Sequence, residues 1–162
     1  MKKEHLQFDY EVYDSIQELN AADALLLKRA MEAIGTAYAP YSLFKVGAAA
    51  KMKNGQYVIG SNQENASFPA GLCAERVTMA SASALYPGIA IDTLAISYLS
   101  AAGSGAQPIS PCGICRQSLQ EFTFRTGYPI RLILGGMEGE IYILPDAEAL
   151  LPLAFTSQEL KS

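Results

Sequence analysis

The sequence predicts a three-layer α/β domain built on a mixed sheet of roughly five strands, with one extra strand near the N-terminus. Half of the 162 residues are hydrophobic and only 17% are charged, so the chain has enough apolar material for one buried core. Segments with helical spacing alternate with short apolar runs, in the order helix, hairpin, helix, strand, helix, strand, strand. This alternation is typical of helices packed on a single sheet.

The chain divides into a short extension and a main domain. Residues 1–20 form the extension, and within it residues 4–13 alternate polar and apolar side chains, which predicts a half-buried strand. Residues 21–162 form the main domain. Its first helix begins after Asn20, a good N-cap residue, and extends to about residue 37, before Pro40 stops it.

A β-hairpin follows the first helix, because two apolar runs flank Asn54 and Gly55, a strong signal for a tight turn. The polar segment after the hairpin places Asn62 and Glu64 two residues apart. Their side chains point the same way if the backbone stays extended. An amide beside a carboxylate can bind a pair of sugar hydroxyls, and a solvated loop with an Asx turn is the alternative.

The rest of the chain alternates helices with buried strands. The predicted elements are a nearly uncharged helix over residues 73–85, a strand over 93–99, a helix over 112–124, and strands over 130–134 and 140–144. The tail around Phe155 is also apolar. An exposed apolar tail would be unusual for a monomer.

All three cysteines of the sequence lie at the starts of the last two predicted helices. Cys73 begins one helix, and Cys112 and Cys115 lie in the first turn of the next, three residues apart and therefore on one face. Three thiolates match a catalytic zinc site, which keeps one position open for water, whereas a structural site usually has four protein ligands. A structural metal site and a redox Cys-x-x-Cys pair are the alternatives. The redox pair would not need Cys73.

Two side chains beside Cys73 complete the predicted chemistry. Glu75 can approach a metal-bound water without being a ligand itself, which suits a proton shuttle. Three thiolates leave Zn²⁺ with a formal charge of about −1, which weakens it as a Lewis acid. Arg76 can reach back toward the sulfurs and offset that charge from outside the coordination shell.

The sequence resembles the small cytidine deaminases in four motifs that occur in order, at residues 41–49, 62–66, 73–76 and 110–117. The cysteine and glutamate spacing also fits the general signature of zinc-dependent deaminases. The resemblance implies a cytidine deaminase-like α/β/α fold with zinc on Cys73, Cys112 and Cys115. It further implies that zinc-bound hydroxide attacks C4 of the pyrimidine while Glu75 protonates N3 and ammonia leaves.

The same resemblance implies a set of substrate-binding roles. Asn62 and Glu64 would bind the ribose hydroxyls, Phe44 would contact the nucleoside, and the Ala74 N–H would bind the base carbonyl. The three-cysteine set is similar to that of the homotetrameric members, in which neighbouring subunits complete each pocket, and Phe155 matches the tail aromatic that does so. One departure is Phe68, at a position where the family often has tyrosine.

The function that follows is hydrolytic deamination of cytidine and deoxycytidine to uridine and deoxyuridine, in pyrimidine salvage. The alternatives are a deaminase of a nucleoside-like antibiotic such as blasticidin S, a deaminase of bases in RNA or DNA, and a non-catalytic zinc protein. A net charge of −4 and a pI near 5.0 disfavour a nucleic-acid partner, because such proteins usually cluster Lys and Arg.

The location of the protein is also predicted from composition. The N-terminus has no apolar signal core, and no run approaches the roughly 18 apolar residues of a membrane span. The cysteine count is odd, and the cysteines are confined to the motifs, which is unlike a secreted disulfide framework. A reduced, cytoplasmic protein without a membrane partner is expected.

Overall fold

Strands and helices follow one another along the chain in the predicted order. The structure, a computed structural model, describes residues 1–101, 103 and 105–160. Within them the strands are β1 (Glu11–Tyr13), β2 (Phe44–Met52), β3 (Tyr57–Ser61), β4 (Ile91–Ser100), β5 (Arg131–Gly135) and β6 (Ile141–Leu144). The α-helices are α1 (Ala21–Ala33), α2 (Ala74–Leu85) and α3 (Gly113–Thr126). Short 3-10 helices occupy Ile16–Glu18, Ile34–Thr36, Phe68–Ala70 and Ala147–Leu150.

The six strands form one mixed sheet in the order β1-β6-β5-β4-β2-β3. Only β4 and β5 pair in parallel, and every other neighbouring pair is antiparallel. The predicted sheet of about five strands with an extra N-terminal strand is therefore confirmed. β1 is shorter than the predicted strand over residues 4–13. It pairs with β6 only from Glu11 to Tyr13, because β6 ends at Leu144 and the following Pro145 has no N–H to donate.

α1 covers one face of the sheet. Its N-terminus is capped by Asn20, whose side-chain oxygen accepts hydrogen bonds from the N–H groups of Ala22 and Asp23, both at 3.0 Å. The helix ends at Ala33, earlier than predicted, and tightens into the following 3-10 turn. The buried residues of this layer are Leu26, Leu27 and Ala30 from α1, with Ala49, Ala95 and Ile133 from the sheet.

An ion pair connects α1 to β5. The two terminal nitrogens of the Arg131 guanidinium, Nη1 and Nη2, each donate to the Asp23 carboxylate at 2.7 Å, and Asn20 donates to the same carboxylate at 2.7 Å. Burial acts to raise the pKa of Asp23, but the hydrogen bonds and charge of Arg131 outweigh it and hold that pKa below its ordinary value. The pair is only partly exposed and fixes α1 over the sheet.

α2 and α3 cover the opposite face and complete the three layers. The core on this side is formed by Met79, Ala82, Leu119 and Phe122 of the helices, with Ala48, Ala50, Leu94, Ile96 and Leu132 of the sheet. β4 is buried along most of its length, as its apolar sequence predicts. α2 approaches the hairpin closely because Gly60 of β3 has no side chain. A Cβ there would lie 2.8 Å from the Thr78 nitrogen.

Candidate active site

The sheet topology brings the three cysteines together. β2 is antiparallel to both β3 and β4, so β3 and β4 run in the same direction. The chain therefore leaves both strands at the same edge of the sheet, and the helices that follow them, α2 and α3, begin near each other. Cys73 is the N-cap residue of α2, Cys112 is the N-cap residue of α3, and Cys115 lies in the first turn of α3.

The sulfur geometry fits a zinc ion. The Sγ atoms of Cys73 and Cys112 are 3.6 Å apart, those of Cys112 and Cys115 are 3.5 Å apart, and all three lie within 4.8 Å of one another. A tetrahedral zinc site with Zn–S bonds of about 2.3 Å has sulfurs about 3.8 Å apart. Among the described residues, the metal-binding group contains these three side chains without a fourth ligand. The donor set and its open position fit a catalytic zinc ion.

The local electrostatics favour ionisation at Cys73. Hydrogen bonds from the other thiols, Cys115 first, together with the charge of Arg76, lower the pKa of Cys73 to about 6 against the opposing effect of burial. The pKa of Cys115 is raised, first because its thiol donates a hydrogen bond to Cys73 and second because it is buried. Within the cluster, the negative charge is therefore favoured on Cys73 over Cys115.

Glu75 and Arg76 take different positions at the start of α2. Glu75 is buried, with 5% of its surface exposed, and burial is the main cause that raises its pKa, followed by the charge of Cys73. Arg76 is half-buried. Among the described residues no hydrogen bond joins its guanidinium to a sulfur, so its effect on the thiols in this structure acts through charge.

A cavity of about 760 Å³ lies over the cysteines and is large enough for a nucleoside. It brings together most of the residues that the sequence singles out: Phe44, Asn62, Glu64, Cys73, Ala74, Glu75, Arg76 and Cys112. Ala74 is the first residue of α2, so its N–H has no acceptor within the helix and is available to a ligand.

Asn62 and Glu64 both line the cavity, as the spacing predicts, and both also support the β2 end of the site. The Asn62 side chain accepts from the Val46 N–H at 2.8 Å and donates to the Phe44 carbonyl at 2.9 Å. Glu64 accepts a short hydrogen bond from the Ser42 hydroxyl and another from the Tyr41 N–H at 2.9 Å. These bonds lower the pKa of Glu64, the Ser42 hydroxyl contributing most.

Two supporting residues were not predicted from the sequence. Tyr98 of β4 stacks on the Phe44 ring, with centroids 5.1 Å apart and ring planes at 18°. Ser42 positions Glu64 through the hydroxyl bond and lies inside the 41–49 motif, which could have indicated it. Tyr98 lies in an apolar strand and carries no such signal, because only the β2–β4 register brings it beside Phe44.

Phe155 does not reach this cavity within one chain. It lines a second cavity, between α2 and α3, together with Arg76 and Gln117. The Gln117 side chain donates to the Phe155 carbonyl at 2.9 Å, which holds the tail against α3, and 59% of the Phe155 surface is exposed. Within its own chain Phe155 is therefore separated from the predicted site residues of the first cavity, except for Arg76, which lines both cavities.

Comparison with known proteins identifies the family. The family described as the cytidine and deoxycytidylate deaminase zinc-binding region matches residues 21–128. The chain belongs to this deaminase family. It is 38% identical to the cytidine deaminase of Halalkalibacterium halodurans over 136 residues. These residues make up 84% of this chain and 96% of that relative.

Solved deaminase structures have the same fold. The crystal structure of cytidine deaminase from Burkholderia pseudomallei is similar with a TM-score of 0.71 and 36% identity, over 85% of this chain and 100% of that one. The cytidine deaminase from Mycobacterium tuberculosis gives a TM-score of 0.62 and 31% identity, over 81% and 94% of the two chains.

Family membership confirms two predictions, the cytidine deaminase-like fold and a zinc-binding domain. The deaminase family match begins at Ala21, the first residue of α1, so residues 1–20 precede it. No helix in the described part of the chain is long and apolar enough to cross a membrane.

Proposed function

We propose that this protein deaminates cytidine and deoxycytidine hydrolytically, giving uridine and deoxyuridine plus ammonia. The observation that carries the proposal is the position of Glu75, a buried carboxylate in a nucleoside-sized cavity that the cysteine cluster also lines. Relatives named cytidine deaminases match this chain over almost their full length. A deaminase of antibiotic nucleosides is not favoured, because the similar proteins are named for cytidine.

Each residue of the cavity has a defined role in this proposal. Cys73, Cys112 and Cys115 hold zinc, which supplies a Lewis acid that makes a water molecule nucleophilic when bound. Water adds to C4, the C4–N bond breaks, and a carbonyl replaces the amine. Glu75 carries one proton of the water to N3 of the ring, where it stays, and then the second proton to the amine, which departs as ammonia. The Ala74 N–H orients the base by donating to its carbonyl oxygen.

The sugar is proposed to bind at the opposite end of the cavity. Asn62 and Glu64 face it from one short segment and are held in place by bonds to β2 and to the loop before it. Phe44 contacts the nucleoside and is itself supported by the ring of Tyr98. A free ribose fits this polar end, and with a net charge of −4 the protein is poorly suited to a nucleic-acid backbone.

Arg76 is proposed to reduce the negative charge that three thiolates place on the ion. Its charge already acts on Cys73, and it lies at the boundary between the two cavities. Replacing it with glutamine should lower kcat for cytidine more than it lowers the zinc content. A variant that retains zinc and turns over at the wild-type rate would remove this role.

We also propose that the active form is a homotetramer, acting in pyrimidine salvage in the cytoplasm. The supporting observation is Phe155, an exposed aromatic residue that is fixed by Gln117 but lies outside the cavity of its own chain. An exposed aromatic of this kind is available to complete the pocket of a neighbouring subunit.

The deciding experiment compares wild type with Glu75→Gln, measuring the fall in cytidine absorbance and the zinc content of both proteins. Glu75→Gln should keep about one zinc per chain and lose about 10²- to 10⁴-fold in kcat, because a proton shuttle is worth that much. Glu32→Gln is the matched control, since Glu32 is exposed on α1 and does not line the cavity. Zinc-loaded wild type that leaves cytidine unchanged would refute the proposal.

A further inference from the structure

The segment of residues 2–13, here called the arm, forms no regular secondary structure before Glu11. Side chains two residues apart contact each other along it, as they do when successive residues point to opposite faces. Lys2 forms an ion pair with Glu4, and the rings of Phe8 and Tyr10 lie 6.4 Å apart. Only the last three residues of the arm form β1 and pair with β6.

One face of the arm is apolar and uncovered. Leu6, Phe8, Tyr10 and Val12 alternate along it, and each is between 43% and 63% exposed. The Tyr10 ring contacts Tyr142 of β6 at 5.1 Å, so this face continues the sheet surface past the end of β6. Four exposed apolar side chains at alternate positions of one segment form the kind of patch that marks an interaction surface.

The other face of the arm carries charge of opposite sign at its two ends. Lys3 lies near the beginning, His5 follows it, and Asp9 and Glu11 lie near the end. A parallel pair of such strands would place like charges side by side. An antiparallel pair would place the basic end of each strand against the acidic end of the other.

The edge of the sheet is also open at this point. β1 is the end strand, and among the described residues no strand lies on its outer side. Its outward N–H and C=O groups are therefore available to another strand. An open edge with an apolar face is the requirement for pairing by strand addition.

We propose that the arm pairs antiparallel with the arm of a second copy of this chain, about a two-fold axis at Phe8. In this register Leu6 faces the partner's Tyr10, and His5 faces the partner's Glu11, with Lys3 diagonal to the same carboxylate. Apolar side chains then meet on one face and opposite charges on the other. The interface is isologous, so it closes on two copies.

The pairing is weak on its own. Two strands of this length bury less than the roughly 1,200 Å² of a stable interface. The expected dissociation constant is therefore in the micromolar to millimolar range, and association increases with protein concentration. If the main domain is itself oligomeric, several arms act together and strengthen the contact.

The test uses two charge variants of the full chain in sedimentation velocity over a concentration series. The acidic-arm variant is Lys3→Glu with His5→Glu, and the basic-arm variant is Asp9→Lys with Glu11→Lys. The mass of wild type should increase with concentration, because arms of different molecules pair. Each variant alone should lose this gain because its arms repel, and an equal mixture of the two should restore it. Lys28→Glu, an exposed change on α1, should behave as wild type.

Several results would overturn the proposal. Wild type whose mass does not change with concentration, variants that associate as wild type does, or a mixture that fails to restore association would each contradict it. The result is independent of the proposed function, because zinc content and cytidine turnover of both variants should equal those of wild type. An inactive wild type with intact arm association would refute the deaminase proposal alone.

Discussion

Gly60 of β3 is the position at which the fold most directly determines the geometry of the site. A Cβ added there would lie 2.6 Å from Thr78 Oγ1, 2.8 Å from the Thr78 nitrogen and 3.1 Å from the Ala74 carbonyl oxygen. Two of these are backbone atoms of α2, which cannot rotate away. Ordinary contact begins at 3.4 Å, so Gly60→Ala must move α2 by about 0.6 Å relative to β3.

This displacement has two consequences. Overpacking of this size costs about 1–3 kcal/mol, so the free energy of unfolding should fall by about 2 kcal/mol. The same helix carries Cys73 at its N-cap and Glu75 in its first turn. Because a misplacement near 1 Å can cost about 10²-fold in rate, kcat/KM for cytidine should fall by about 10- to 10²-fold.

The assay is urea unfolding followed by circular dichroism, combined with the cytidine absorbance assay at saturating zinc. Gly35→Ala is the matched control, because a Cβ at Gly35 meets nothing within 4 Å. The control should retain wild-type stability and turnover. The reasoning is refuted if Gly60→Ala unfolds and turns over like wild type, or if Gly35→Ala is equally damaged.

Three further predictions concern single contacts. Arg131→Met should lower stability by about 2 kcal/mol at pH 7, a value reduced from that of a fully buried pair because the arginine is partly exposed. Since the Asp23 pKa is lowered by folding, this loss is full above pH about 4 and shrinks as pH falls through the folded-state pKa, which urea melts at each pH would detect. Leu43→Gly should raise stability by about 0.5–1 kcal/mol, measured as a higher Tm, because Leu43 has a φ of 56° that disfavours side chains. Tyr98→Leu should raise KM for cytidine about 3- to 10-fold with a smaller effect on kcat, since it removes the stack on Phe44; an unchanged KM would contradict this support.

The sequence was a good guide to the order of the elements and a poorer one to their ends. Apolar patterns and the signals at element ends together predicted the helices and strands: helical spacing for α1, the Asn54-Gly55 turn for the hairpin, and a continuous apolar run for β4. The end of α1 was wrong by several residues, since the pattern does not reveal where the helix tightens into a 3-10 turn. The predicted N-terminal strand was too long, because its length depends on the distant Pro145 beside it.

Spacing along the chain indicated those site residues that lie close together in the sequence, but not those that the fold brings together. Asn62 and Glu64 are two residues apart, and both do line the cavity. Cys73 and Cys112 meet only because β3 and β4 run in the same direction, and here the family resemblance supplied what spacing could not. Tyr98 was missed because its position beside Phe44 follows from strand register, which no short window of sequence contains. The roles of all the site residues, Arg76 and Phe155 included, stay predictions.

The pairing of β1 with β6 has a consequence for the order in which this chain folds. β1 is synthesised before the rest of the sheet but cannot pair until β6, its partner, has been made. The strands β2 to β5 can therefore form a sheet and pack against α2 and α3 while the arm is still unpaired. Contacts between such distant parts of a chain form late, because their loop-closure entropy is large. We therefore expect β1, which has three paired residues at the edge of the sheet, to exchange its amide hydrogens faster than β4 while the domain that holds the cysteines stays folded.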